Sequence, residues 1–174
     1  MNFFITSGTY DFLLKKYNEH TDAKVFIAQN AERTLLMQEA EGETFFEEPR
    51  KYEVIDAHGE LEQRGFFVFN NIPVTDEGRP VFEYRFKNRA RMIEEEPGFI
   101  SIRVLRPLDS DTYVILTQWE DADAFHNWQD SKAYAKAHEK RGTEEGVDAK
   151  KDLFPRASYV TKYSAPDKEQ LTNG

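Results

Sequence analysis

Phe99-Ile100-Ser101-Ile102-Arg103-Val104-Leu105-Arg106, then Pro107-Leu108-Asp109-Ser110-Asp111, then Thr112-Tyr113-Val114-Ile115-Leu116-Thr117-Gln118-Trp119: two β-branched-rich runs flank a turn-forming stretch. The pattern predicts a hairpin with a loop longer than the tightest turns. On its N-terminal side, Asp76 to Glu95 places Phe82, Phe86, Arg89 or Ala90, and Ile93 on one stripe at helical spacing. Pro80 suits the first turn, where its missing N–H costs nothing, and Pro97-Gly98 stops the helix. On the C-terminal side a second helical region starts at Asp121. Strands from Phe66 to Ile72 and from Ser158 to Tyr163 complete the order β-α-β-β-α-β. That order predicts an α+β, ferredoxin-like unit, a four-stranded antiparallel sheet with both helices on one face. Its pocket would lie between sheet and helices. Alternation along Phe66 to Ile72 puts Phe66, Val68, Asn70 and Ile72 on one face, so a polar amide points where its neighbours are apolar.

Further out, Ala57-His58-Gly59-Glu60-Leu61-Glu62-Gln63-Arg64-Gly65 is a polar stretch between segments rich in Phe, Val and Ile. It is the expected boundary between a smaller β-rich α+β domain over 1–62 and the ferredoxin-like domain over 63–166. In the first domain, Asn2–Thr6, Lys24–Gln29, Thr34–Gln38, Thr44–Phe46 and Tyr52–Ile55 read as strands. Phe12, Leu13, Leu14 and Tyr17 read as a helix between the first two. Both domains begin strand-then-helix and could be related folds, although no sequence repeat is sustained. The polar tail 167–174 is expected to be disordered.

The chain has 174 residues, 39% of them apolar and 14% aromatic, which is ample for a packed core. Its 23 basic and 32 acidic residues leave a net charge of −9, which argues against a nucleic-acid partner. There is no cysteine, excluding disulfides, thiolate metal sites, iron–sulfur clusters and cysteine nucleophiles. Apolar runs such as Phe66 to Phe69 are too short to span a bilayer, and a secretory signal is not expected. A cytoplasmic location is expected. Dinucleotide, Walker, nucleophile-elbow and paired-histidine zinc motifs are absent from the sequence. Glu94-Glu95-Glu96 and Glu144-Glu145 read as solvated faces.

Chemistry concentrates in Ala124-Phe125-His126-Asn127-Trp128-Gln129-Asp130-Ser131-Lys132-Ala133-Tyr134-Ala135-Lys136-Ala137-His138. Phe125 and Trp128 share a helix face, as do Tyr134 and His138. On one straight helix, Trp128 and His138 would be separated by about 15 Å of rise. A helix restarting at Ser131, a good N-cap, could bring both toward one planar ligand. His138 is either a neutral imidazole able to ligate haem iron or a surface histidine favoured by a helix C-terminus. Trp128 is either a wedge against a bound ring or ordinary core. Asn70 either donates to a bound oxygen species or bonds backbone near the Asn70-Asn71-Ile72-Pro73 bend. His20, His58 and His126 lack metal-ligand spacing and are expected at the surface.

Taken together, Asn70-Asn71-Ile72-x-Val74-Thr75, Ala124-Phe125-x-x-Trp128 and Tyr134-x-x-Ala137-His138 resemble the antibiotic-biosynthesis monooxygenase superfamily, and within it the IsdG-type haem-degrading monooxygenases. Over its whole length the chain resembles two-domain members of that group, including a branch described as signal-transduction proteins. The resemblance implies that haem is both substrate and cofactor, consumed with O2 and an external electron donor. It implies that His138 is the ligand to the haem iron, that Asn70 steers oxygen, and that Trp128 presses on the macrocycle. Asn70, Trp128 and His138 are then the catalytic residues, with Phe125 and Arg141 also binding haem. Arg141, Lys150, Lys151 or Arg156 could meet the propionates, with exposed salt pairing as the alternative for each. Relatives form a dimeric α+β barrel; here the first domain could stand where a second subunit would sit, which leaves monomer or homodimer open. The alternatives to turnover are haem binding or signal transduction without it, and a cofactor-independent monooxygenase acting on an aromatic small molecule.

Overall fold

The computed structural model describes residues 1–88, 92–131 and 153–172. The elements run β1 (Asn2–Gly8), α1 (Tyr10–Glu19), β2 (Val25–Gln29), β3 (Thr34–Ala40), β4 (Arg50–His58) and β5 (Gly65–Pro73). They continue with α2 (Arg79–Lys87), a 3-10 turn (Met92–Glu95), β6 (Phe99–Pro107), β7 (Thr112–Trp119), α3 (Ala122–Gln129), β8 (Tyr159–Ala165) and α4 (Lys168–Thr172).

The strands close into one barrel in the circular order β1-β3-β2-β8-β5-β7-β6-β4. Cut between the halves, the order reads β4-β1-β3-β2 and then β8-β5-β7-β6, the same permutation twice: last, first, third, second. Both halves therefore carry the ferredoxin-like strand order, and the strand-then-helix start that they share reflects it. The first half replaces the second helix of that plan with the segment 41–49. Two seams join the halves. Along β4 and β6 the pairing runs from Tyr52↔Pro107 to His58↔Ile102, with a bulge between Val54 and Asp56. At β2 and β8 it rests on Gln29↔Ser164, with Asn30 Nδ2 donating to the Lys162 carbonyl at 3.0 Å. The β4–β6 seam pairs those two edges along most of their length, whereas the β2–β8 seam is held at one end.

Alternation on each strand sends one set of side chains into the barrel and the other outward. The interior draws on both halves: Phe3, Ile5, Leu35 and Met37 pack with Phe67, Phe69, Leu105 and Tyr163. Outside, α1 buries Leu13 and Tyr17 on the first half with Phe4, Ile27 and Phe46. Helix α2 covers the second half with Phe82 against Tyr113, ring centroids 4.7 Å apart. The segment joining β4 to β5 is pinned across one barrel end. Gln63 exchanges hydrogen bonds with the Ile27 backbone, both 2.8 Å, and Gln118 Nε2 donates to the Glu62 and Arg64 carbonyls.

Three expectations are corrected. Thr44–Phe46 is not a strand: Thr44 Oγ1 donates to Gln38 Oε1 at 2.6 Å, Phe46 is buried under α1, and Phe45 stacks on His20 at 3.6 Å. The helix expected over Asp76–Glu95 is shorter. Asn88 closes α2 by donating from Nδ2 to the Tyr84 carbonyl at 2.8 Å, and Met92–Glu95 forms a separate 3-10 turn. The tail expected to be disordered over 167–174 instead contains α4. Asp167 and Gln170 cap it reciprocally at 2.9 and 3.0 Å, and Leu171 is buried among the α1 contacts. One buried leucine plus a capping box holds a polar tail in place.

Candidate functional site

Asn70 sits in mid-strand on β5, flanked in register by Ile115 on β7 and Val160 on β8. The neighbours on its own face belong to different apolar clusters. Val68 packs with Trp119 and Phe125, beneath α3. Ile72 packs with Val74, Phe82, Tyr113 and Phe86, beneath α2. The amide thus lies on the sheet between two apolar walls. It is half-buried, and among the described residues nothing hydrogen-bonds it. Val160 beside it is 51% exposed, so the sheet surface at this point carries exposed apolar area. A strand asparagine in such a place has its hydrogen-bonding capacity to offer to a ligand.

Each wall has a local cause. Asp121 caps α3, its carboxylate accepting from the Ala124 N–H at 2.8 Å, and this sets the phase that buries Phe125 and brings Trp128 to the sheet. Trp128 stacks on the fully buried Trp119 with centroids 5.6 Å apart and 30° between planes, and Phe125 lies 6.1 Å from it. Trp119 is itself held by its indole N–H donating to Thr117 Oγ1 at 3.0 Å. The expected wedge thus rests on a rigid aromatic backing. Ser131, expected to N-cap a new helix, also donates its hydroxyl to the Trp128 carbonyl at 2.6 Å.

The other wall is fixed by charge. Glu83 on α2 accepts from Arg106 on β6 at 2.9 and 2.5 Å and from the Tyr113 hydroxyl, while Arg106 also reaches Glu53 at 2.6 Å. The Arg106 guanidinium first, with help from the Tyr113 hydroxyl, holds the Glu83 carboxyl below its ordinary range against the opposing effect of burial. Burial, then the Glu83 carboxylate, pushes the Tyr113 phenol up. A depressed carboxylate stabilises the fold above its unfolded pKa, and that contribution is lost as pH falls through the folded value. Glu83→Gln should lower stability by about 1–2 kcal/mol at pH 7, a charged hydrogen-bonded group being discounted for partial exposure. It should also flatten the fall in melting temperature between about pH 5 and pH 3. Thermal unfolding of both proteins across that range checks this.

Of the predicted site residues, Asn70, Phe125 and Trp128 lie on this one face of the second half. His138, Tyr134, Arg141, Lys150 and Lys151 lie outside the described residues. Arg156 is engaged elsewhere, paired with Asp111 at 2.9 and 3.1 Å. Its side chain holds the β6–β7 turn. His126 and His58 are exposed, His58 lying 3.6 Å from Glu94; His20 is half-buried against Phe45. Among the described residues no three His, Asp or Glu side chains gather as a metal site. No helix among them is long and apolar enough to cross a membrane. Sequence reasoning missed Trp119 and Lys162. Lys162 lies beside Val68 in register, and its Nζ is 5.4 Å from the Phe125 ring. Alternation on β8 puts Val160 and Lys162 on one face, the signal that could have found it.

Residues 65–140 match the family described as antibiotic biosynthesis monooxygenase. The chain is 30% identical to a heme-degrading monooxygenase of Listeria monocytogenes, over 91% of this chain and 98% of that one. It is 24% identical to the signal transduction protein TRAP of Staphylococcus epidermidis, over 95% and 98% of the two chains. A solved structure described as a major regulator of staphylococcal pathogenesis superposes with a TM-score of 0.83, at 24% identity, covering 96% of this chain and 100% of its own. The chain belongs to the antibiotic biosynthesis monooxygenase family. Within it, the similarity over nearly full length is to a heme-degrading monooxygenase and to the signal transduction protein TRAP.

Proposed function

We propose that the protein is a haem-degrading monooxygenase that opens the porphyrin ring with O2 and electrons from an external donor, releasing iron in the cytoplasm. The observation that carries this reading is the Asn70 amide, without a partner among the described residues, between two apolar walls and beside the exposed Val160. A flat apolar ligand with a polar centre fits those donors and walls. Bound haem would supply the redox-active iron and would itself be the ring that is consumed.

The residues divide the work by their chemistry. Phe125 and Trp128, backed by Trp119, form a stiff aromatic wall against one part of the ring. Trp128, backed by Trp119 and unable to retreat into it, would press on a bound macrocycle. Asn70 Nδ2 would be available to donate a hydrogen bond to bound oxygen, and a fixed donor there stabilises developing negative charge. His138 would be the ligand to the haem iron, and Arg141 would bind the haem as well. Lys162 at the edge of the Phe125 wall adds a cation on the same side. One chain completes the barrel, which supports a single chain as the working unit.

The second reading, haem binding or signalling without turnover, is favoured by the likeness to TRAP. Purified protein given haem should develop a Soret band that bleaches with release of iron when a reductant is added in air. A Soret band that survives reductant and air would establish the second reading, and the absence of specific haem binding would sink both. His138→Ala should weaken or alter haem ligation. Asn70→Ala should leave affinity within about twofold and slow turnover by about tenfold or more, as loss of a fixed donor to developing charge does. Equal loss of binding in the two variants would overturn these roles.

A further inference from the structure

Next to Asn70, Asn71 points to the opposite side of the sheet, into the barrel, and marks a cavity that is independent of the haem reading. The cavity has a volume of about 80 Å³ and opens at the barrel end where β3 and β4 begin; its lining includes Arg33, Arg50, Tyr52, Asn71, Thr161 and Tyr163. No acidic side chain lines it. In a chain of net charge −9, neither arginine makes an ion pair with any described residue. Tyr163 is only 5% exposed, its ring edge-on to Phe69 at 5.4 Å, and its hydroxyl has no hydrogen-bond partner among the described residues. Asn71 is buried and donates from Nδ2 to the Phe69 and Tyr159 carbonyls and to Thr161 Oγ1, each at 3.2 Å. Because Thr161 accepts there, its own O–H is left to donate into the cavity. Arg50 lies beside the Tyr52 hydroxyl, and the carboxylate felt by that phenol is Asp109.

Two guanidinium groups, the Tyr163 hydroxyl with no partner among the described residues, and a threonine proton converge on one small space. Donors without a matching acceptor, around a cavity without acids, define the missing partner as an acceptor with negative charge. We propose that this barrel mouth binds a small oxyanion, held by Arg33 and Arg50 at the rim and by Tyr163 and Thr161 at the base. Toward the other barrel end the inward-pointing Arg103 guanidinium is already engaged by the Glu39 carboxylate.

The test is a titration of the full chain, at constant ionic strength, with inorganic phosphate in one arm and malonate in the other, followed by heteronuclear NMR. Saturable shifts centred on the Asn71 side-chain amide and on Thr161 are expected, with a dissociation constant of about 1 mM or tighter. Arg33→Gln and Arg50→Gln, both at exposed positions, should each weaken binding about tenfold, and Tyr163→Phe about fivefold. Preference for phosphate would assign a tetrahedral ligand, and preference for malonate a carboxylate. Failure of both anions to saturate, shifts confined to other surfaces, or full binding by the doubly substituted Arg33→Gln/Arg50→Gln protein would overturn the proposal.

Discussion

Glu39→Gln should cost roughly 3–5 kcal/mol of stability, the range found when one partner of a buried ion pair is removed. In a chain of this size that is a fall in melting temperature of roughly 10 °C. Glu39, on β3, and Arg103, on β6, belong to different halves and meet inside the barrel with side chains 5% and 4% exposed. The guanidinium donates from Nε to Glu39 Oε2 at 2.6 Å and from Nη1 to the Gly59 and Ile102 carbonyls at 2.8 and 2.9 Å. Arginine cannot shed its proton, so a neutral glutamine opposite leaves a full positive charge out of water with carbonyl dipoles alone to balance it. Because the pair bridges the halves, its loss should lower a single cooperative transition. Glu39→Leu combined with Arg103→Met should recover most of the loss but not all, because the Gly59 and Ile102 carbonyls then lack their donor. Chemical denaturation of Glu39→Leu, Arg103→Met and the double variant measures the coupling directly. Additive losses would show that the pair does not act as one unit.

The hairpin was legible because its information is local: β-branched runs on both sides of Pro107–Asp111 leave few other conformations. The polar position Asn70 was legible for the same reason, since a period of two places it among apolar neighbours whatever lies around it. The helix over 76–95 was read too long, because the stripe of Phe82, Phe86 and Ile93 continues past Asn88, where a side chain closes the helix by bonding its own turn. Barrel closure is another kind of fact. Nothing in Tyr52–His58 announces that it pairs with Ile102–Pro107, since such pairing is selected by the shapes of whole halves. The likeness of the two halves survives in strand order and not in residues, which is why no repeat was visible. Trp119 escaped notice as a site residue because it reads as the last residue of a strand. Its importance is that it lies under Trp128, a contact set by the angle at which α3 returns to the sheet.

That angle depends on how β5 leaves the joining segment, and Gly65→Ala is expected to show it, with a loss of about 3 kcal/mol or more. Gly65 has φ +80°, and a Cβ there would stand 2.2 Å from the Trp119 carbonyl oxygen and 3.3 Å from that of Glu120. Neither oxygen belongs to a movable side chain. The Trp119 backbone is hydrogen-bonded within the β5–β7 ladder, where Phe66 and Trp119 are partners. The alanine must therefore shift the start of β5, the end of β7, or both, and Trp119 carries the stack on which Trp128 rests. Gly42→Ala is the control that separates the two contributions. Its φ is +135°, equally foreign to alanine, but nothing lies within 4 Å of the added carbon. It should cost only the conformational part, about 1–2 kcal/mol, and leave the near-ultraviolet circular dichroism of the stacked indoles unchanged. Gly65→Ala should alter that spectrum along with stability. Equal losses in the two variants, or an unaltered indole spectrum in Gly65→Ala, would mean that the wall beneath Trp128 does not depend on this close approach.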